Sequence, residues 1–139
     1  MSQSRVLVIE DERTVAALLR GRLEREGYEV QVVGDGLSAC KAIGENPPDL
    51  ILLDLMLPIL DGWEVCSIVR TLPDPDVSRT PIIMLTSQAS EEDRLRGLRS
   101  GANEYITKPF SMDEVLSRVQ EQISRTSAAD AAPRRNPKP

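Results

Sequence analysis

The chain has 139 residues, enough for one domain with its own core and too few for two. Hydrophobic residues make up 40% and charged residues 28%, an ordinary globular balance, and the net charge of −5 argues against direct nucleic-acid binding. No apolar run approaches the ~20 residues that cross a bilayer, no signal-peptide core precedes Glu10, and the absence of histidine removes His-based triads and the commonest zinc sites.

Arg5–Ile9 (RVLVI) reads as the first strand. Glu10, Asp11 and Glu12 end it, and Asp11 is placed to cap the helix that follows. That helix covers about Glu12–Glu26, with Val15, Leu18, Leu19 and Leu23 at helical spacing and Gly27 as its stop. Glu29–Val33 alternates as a second strand. A weaker helix over Leu37–Glu45 follows Asp35-Gly36, and Asn46-Pro47-Pro48 must break it. Leu50–Leu53 are consecutive aliphatics followed by one acid, Asp54. A strand this apolar is covered on both faces, as in a parallel sheet.

Asp61-Gly62-Trp63-Glu64 has the form of a capping box opening a third helix to about Thr71. Leu72–Pro81 reads as a loop with three prolines. Ile82–Thr86 (IIMLT) is the fourth strand. Ser90 and the acids after it open a fourth helix, which Gly101 stops. Glu104–Thr107 (EYIT) is the fifth strand, and Ser111 with Glu114 boxes the start of a fifth helix ending near Ser124. Alternating strands and helices predict parallel strands joined by right-handed crossovers. Residues 1–124 form this unit. Residues 125–139 change to small residues and prolines, with Arg125, Arg134, Arg135 and Lys138 outweighing Asp130, and read as a disordered tail or the start of a linker. Cys40 and Cys66 lack metal-like or redox spacing and fit a reducing, cytoplasmic setting.

Four strands end in chemistry: Glu10 and Asp11, Asp54, Thr86, and Lys108. A parallel sheet places these ends on one edge, where open α/β folds bind ligands. Two unit charges ~4 Å apart repel by ~4 kcal/mol at an effective dielectric of ~20, so three converging carboxylates repel by on the order of 10 kcal/mol. A divalent cation with oxygen ligands relieves this, and Mg²⁺ fits, since it takes one or two carboxylates and shares a phosphoryl oxygen. Asp54 then becomes an ionised nucleophile, and Lys108 and Thr86 are suited to phosphoryl oxygens. Phosphohydrolases that work through an aspartyl phosphate usually carry a second acid two residues later. Here that residue is Met56, which points to a phosphate store rather than an enzyme.

VLVIEDE, LILLDLMLPILDG, IIMLTS and EYITKPFS, in this order and spacing, resemble the four signatures of the receiver domain of two-component response regulators. The resemblance covers about residues 4–124. It implies a flavodoxin-like (βα)5 sandwich with strand order 2-1-3-4-5, and phosphotransfer from a sensor histidine kinase or phosphotransfer protein. It also implies that Asp54 is the phosphoacceptor and that Glu10, Asp11, Asp54 and the Met56 backbone carbonyl hold Mg²⁺. Glu10 stands where many members have aspartate. Thr86 and Tyr105 match the switch pair, Lys108 the phosphate-binding lysine, and Lys108-Pro109 a peptide bond that is often cis. Met56 and Gln88 lie where side chains admit or block the hydrolytic water. The surface of the fourth helix, fifth strand and fifth helix should change on phosphorylation. In receivers resembling winged-helix regulators that surface pairs two copies, here through Arg94 with Glu114 and Glu104 with Arg118.

The leading expectation is a phosphorylation-controlled signalling switch acting through a downstream protein or an output domain outside these residues. The alternatives are an aspartyl-phosphate phosphohydrolase, a flavin-binding module of the same fold, and a receiver used only for binding. Met56 opposes the first, Glu10-Asp11-Glu12 in place of a phosphate-cradling loop the second, and the complete set of site residues the third.

Overall fold

The computed structural model describes residues 3–87 and 90–131. Five parallel strands lie in the order β2-β1-β3-β4-β5: β1 is Arg5–Ile9, β2 Glu29–Val33, β3 Leu50–Asp54, β4 Ile82–Thr86 and β5 Glu104–Thr107. All five strands fall where the hydrophobic pattern puts them. The helices are α1 (Arg13–Arg25), α2 (Gly36–Glu45), α3 (Gly62–Arg70), α4 (Pro75–Ser78), α5 (Glu91–Arg99) and α6 (Met112–Ala131). The expected fourth and fifth helices are thus α5 and α6.

The two-residue period of the strands divides the core into two layers. Val6, Val8, Leu50, Leu52, Ile83 and Leu85 pack with Leu19 and Leu23 of α1 and Val115 and Val119 of α6. Leu7, Ile9, Ile51, Leu53, Ile82 and Met84 pack on the other face with Ala39 and Ile43 of α2 and Val65 and Val69 of α3. Every residue of β3 and β4 is buried, as their unbroken apolar runs require. Each apolar side chain among them contributes ~1.5–3 kcal/mol relative to exposure. Asp54 is therefore fixed at the end of a strand buried along its whole length.

Local chemistry sets the helix ends. The Asp61–Glu64 box is complete: Glu64 N donates to Asp61 Oδ1 at 2.9 Å and Asp61 N to Glu64 Oε1 at 3.0 Å. Ser90 Oγ accepts from Asp93 N, and Ser111 Oγ from Glu114 N, both at 3.0 Å. Gly27 and Gly101 have φ of 98° and 111°, the left-handed geometry that glycine adopts freely.

Three expectations need correction. Asp11 does not cap α1; Glu12 occupies that position without a side-chain bond, and its N–H instead donates to Glu10 Oε2 at 3.2 Å. The Leu72–Pro81 stretch is not all loop. Pro75 supplies a preset φ at the first helical position and Asp74 accepts from Asp76 N at 2.9 Å, giving the single turn α4. The last helix continues past Ser124 to Ala131, because no breaker precedes Pro133 and alanine is the best helix former. Residues 132–139, including Arg134, Arg135 and Lys138, lie outside the described residues. Among the described residues, no helix is long and apolar enough to cross a membrane.

Candidate functional site

β1 and β3 are adjacent, with Ile9 opposite Leu53, so Glu10 and Asp54 leave the sheet at the same level. Glu10 and Asp54 are buried and Asp11 is exposed. One ligand oxygen from each of the three lies within 4.8 Å of the others. Lys108, the residue after β5, reaches back over the edge. Its Nζ lies 2.9 Å from Glu10 Oε1 and 3.5 Å from Asp54 Oδ2. Met56 N donates to Asp54 Oδ1 at 3.2 Å and fixes the carboxylate from the other side.

The remaining predicted residues surround this cluster or lead away from it. Thr86 ends β4 fully buried, one residue past the Asp54–Leu85 pairing, and its carbonyl accepts from Lys108 N at 2.7 Å. The Lys108–Pro109 bond is cis. Tyr105 is half-buried and its ring lies against Gly97 of α5. Burial, followed by the nearby charge of Asp93, raises its hydroxyl pKa. The Met56 side chain is exposed at the lip of the site. Gln88 lies outside the described residues. Farther out, Glu104 pairs with Arg118 at 2.7 Å and Arg94 with Glu91 at 2.6 Å, both within the chain.

Electrostatics follow from burial. Loss of solvent, then the hydrogen bond and charge of Asp54, push the Glu10 carboxyl up to about 7, against the opposing pull of Lys108. Burial depresses the Lys108 ammonium, but its contacts with Glu10 and Asp54 outweigh this and raise it overall. Without a cation, the crowded acids are thus relieved by a proton on Glu10. A hard cation with oxygen ligands can take the place of that proton, and three carboxylates are a suitable donor set.

This has a measurable consequence. Folded Glu10 holds its proton up to about pH 7, whereas the unfolded carboxyl loses it near its model value of 4.5. The native state binds the extra proton between those values, so its stability falls as pH rises through the window and levels off above it. In EDTA, urea melts should lose roughly 2 kcal/mol between about pH 5.5 and about 7.5. With no histidine in the chain, other side chains contribute little there. Flat stability over that range would remove Glu10 as the proton acceptor.

Sequence reasoning missed several supporting residues. Gly62 has no room for a side chain: a Cβ there would sit 2.7 Å from the Asp54 carbonyl oxygen and 2.8 Å from Leu55 Cα. Arg96 stacks on the Trp63 ring, 3.7 Å from its centroid. Arg70 binds four acceptors at the opposite edge of the sheet. Only Gly62 carried a sequence signal, the Asp-Gly turn before a helix.

Residues 6–120 match the response regulator receiver domain family. The chain is 39% identical over 128 residues to response regulator MprA of Mycobacterium leprae, covering 92% of this chain and 54% of that protein. The chain thus spans about half the length of the curated relatives it matches. The Francisella response regulator 1452 receiver domain superposes with a TM-score of 0.82 at 36% identity, covering 89% of this chain and 99% of that one. The receiver domain of sensor histidine kinase PA1611 from Pseudomonas aeruginosa, whose structure has a magnesium ion coordinated in the active-site cleft, superposes with a TM-score of 0.80 at 32% identity and covers 88% of this chain and 99% of that one. With the five-stranded 2-1-3-4-5 sheet and acidic cluster described above, this chain belongs to the receiver domains of two-component response regulators.

Proposed function

We propose that this receiver accepts a phosphoryl group on Asp54 and stores it as a signal. The observation that carries the reading is the convergence of Glu10, Asp11 and Asp54 within 4.8 Å, with Lys108 reaching both buried acids. A carboxylate oxygen of Asp54 attacks phosphorus while the bond to the donor breaks and its electron pair leaves with the donor nitrogen or oxygen. Lys108 holds the phosphoryl oxygens, and Thr86 binds one through its hydroxyl. Glu10, Asp11, Asp54 and the Met56 carbonyl would hold Mg²⁺, which when bound neutralises charge on the phosphoryl group. Met56 carries no acid–base group, and this supports storage over rapid turnover.

The phosphoryl donor is a sensor histidine kinase or phosphotransfer protein, and the exchange belongs to the cytoplasm. The free cysteines Cys40 and Cys66 fit that compartment. Residues 1–124 act as the receiver unit, and residues 125–139 lead toward an output domain or a downstream protein. The half-length match to full response regulators supports that arrangement.

The output is a change in the α5–β5–α6 surface, begun when Thr86 is drawn to the phosphoryl group and Tyr105 re-seats. A second copy is the proposed partner for this surface, through Arg94, Glu104, Glu114 and Arg118. Because Arg94 and Glu104 already have partners within the chain, dimerisation requires an exchange of ion pairs. Sedimentation should show a monomer that dimerises with beryllofluoride and Mg²⁺. A monomer in both states would remove the dimer.

The direct test of the reading is incubation with Mg²⁺ and acetyl phosphate followed by intact-mass measurement. One phosphoryl group per chain is expected, and none would overturn the proposal.

A further inference from the structure

The loop between β3 and α3 carries backbone strain. Its neck is closed where Gly62 N donates to Leu55 O at 2.8 Å. Within it, Leu57 and Leu60 pack against the core layer under α2 and α3. Leu60 also lies against the start of α2, where a Cβ on Gly36 would come 2.5 Å from Leu60 Cβ. Between Leu57 and Leu60 the chain reverses at Ile59. Leu60 N donates to Pro58 O at 2.9 Å across it, and its φ is 73°. This is the γ-turn of positive φ, the rare and strained form. Glycine or asparagine adopts it at little cost, whereas a β-branched residue there is an outlier. Ile59 is the one non-glycine residue of positive φ among the described residues.

Burial gives little in return for that strain. Ile59 is 73% exposed, and Leu37, in the first turn of α2, is 60% exposed; among the described residues these are the two most exposed large hydrophobic side chains. Met56 is 58% exposed. The Gly36–Leu60 contact brings their chain neighbours Leu37 and Ile59 to one side of the acceptor. Met56 is tied to the same place through its N–H on Asp54 Oδ1 at 3.2 Å. Single exposed apolar side chains are ordinary. Three beside a buried nucleophile, one of them held there against its backbone preference, are not, and strain of this kind collects at functional sites.

We propose that Leu37, Met56 and Ile59 form an apolar lip on which the phosphodonor protein seats. The proposal rests on Asp54 being the phosphoacceptor. Asp54 is only 6% exposed, so a donor histidine must be brought onto it by the protein that carries it. Even a transient protein interface covers about 600 Å² per partner, a disc of about 14 Å radius. The five residues from Asp54 to Ile59 span at most about 18 Å when extended, and the turn and the closed neck fold that path back. A donor centred on Asp54 therefore covers the lip. The surface that fits it is an apolar patch beside the phosphohistidine. The lip touches no reacting atom; it sets which donor docks and how tightly.

The probe is an autophosphorylated sensor-kinase core, chosen from a panel as the one that transfers fastest to the wild-type chain. Ile59→Asn keeps the turn, since asparagine accepts a positive φ, and removes the apolar side chain. Its kcat/KM for transfer should fall about five- to fiftyfold, mainly through KM, the range for truncating an apolar contact buried in an interface. Leu37→Ser should fall in the same direction. Ile68→Ser, at an exposed position near the far end of α3, should receive the group as wild type does. Acetyl phosphate is too small to reach the lip, and all three variants should take it up at the wild-type rate. Ile59→Asn should melt at the wild-type temperature or above it, because it relieves the strained turn and empties no packed site.

Unchanged transfer to Ile59→Asn, or an equal loss with acetyl phosphate, would overturn the lip. So would a lower melting temperature, which assigns Ile59 to the fold, or altered dimerisation with beryllofluoride at unchanged transfer, which assigns the lip to a second copy. Uptake from acetyl phosphate with transfer from no kinase core in the panel overturns the docking surface alone, whereas no uptake by wild type from either donor overturns both readings.

Discussion

Asp54→Asn will take up no phosphoryl group from acetyl phosphate and Mg²⁺, while the wild-type chain takes up one. The substitution keeps the size and shape of the side chain, and its amide oxygen can still accept the Met56 N–H that holds Asp54 Oδ1 at 3.2 Å. What it removes is the anionic nucleophile. An amide oxygen carries no negative charge, and no other group nearby is equivalent. Glu10 is buried, and Lys108 bonds its Oε1 at 2.9 Å. Asp11 is exposed and outside the Met56 and Lys108 contacts that fix Asp54.

The same variant tests the electrostatics independently of phosphorylation. Asp54 helps raise Glu10 both by hydrogen bonding and by its charge. Without it, Glu10 should return toward the ordinary carboxylate range, and the loss of stability with rising pH in EDTA should become shallower. Folding should survive, since one of the three crowded carboxylates has been neutralised. Uptake by Asp54→Asn equal to wild type would place the acceptor elsewhere. An unaltered pH slope would break the link between Asp54 and Glu10.

The strands were legible because burial on both faces forces unbroken runs such as Leu50–Leu53 and Ile82–Leu85. The acidic cluster was legible for a related reason. A parallel sheet brings its strand ends to one edge, so Glu10, Asp54 and Lys108 converge although 98 residues separate the first from the last. The interactions that steady the site were not legible. Gly62 looked like a turn residue, and nothing in its sequence tells that the Asp54 carbonyl lies where its Cβ would be. Trp63 and Arg96 meet only through the packing of α3 beside α5. Asp11 was misread because its residue type suits a cap, whereas the helix begins one residue later, with Glu12 at the cap position. Arg70 left no trace at all, because its partners are mainly backbone carbonyls, which every residue has.

Arg70→Ala is therefore expected to be among the most destabilising single changes outside the apolar core. Its guanidinium donates through Nε to Gly101 O at 2.9 Å, through Nη1 to Ser78 O at 2.9 Å and Thr80 O at 2.7 Å, and through Nη2 to Asn103 Oδ1 at 2.8 Å. Asn103 Oδ1 also accepts from Ile82 N at 2.8 Å, so the side chain stitches α3, α4, the entry to β4 and the turn before β5 together. Burial lowers the Arg70 pKa, and among the described residues no carboxylate forms an ion pair with it. Its charge is solvated by these oxygens instead. Hydrogen bonds from a charged donor contribute ~1.5–3 kcal/mol each but do not add in full, and truncation also strands the carbonyl of buried Thr80. A loss of about 3–4 kcal/mol in urea melts is expected, against ~5–15 kcal/mol of total stability for a domain. Lysine should recover only part, since one ammonium cannot reproduce the planar fork. The clamp lies at the edge of the sheet opposite Asp54, so the folded fraction of Arg70→Ala should still take up one phosphoryl group. A loss under about 1 kcal/mol would show that water replaces the guanidinium at little cost.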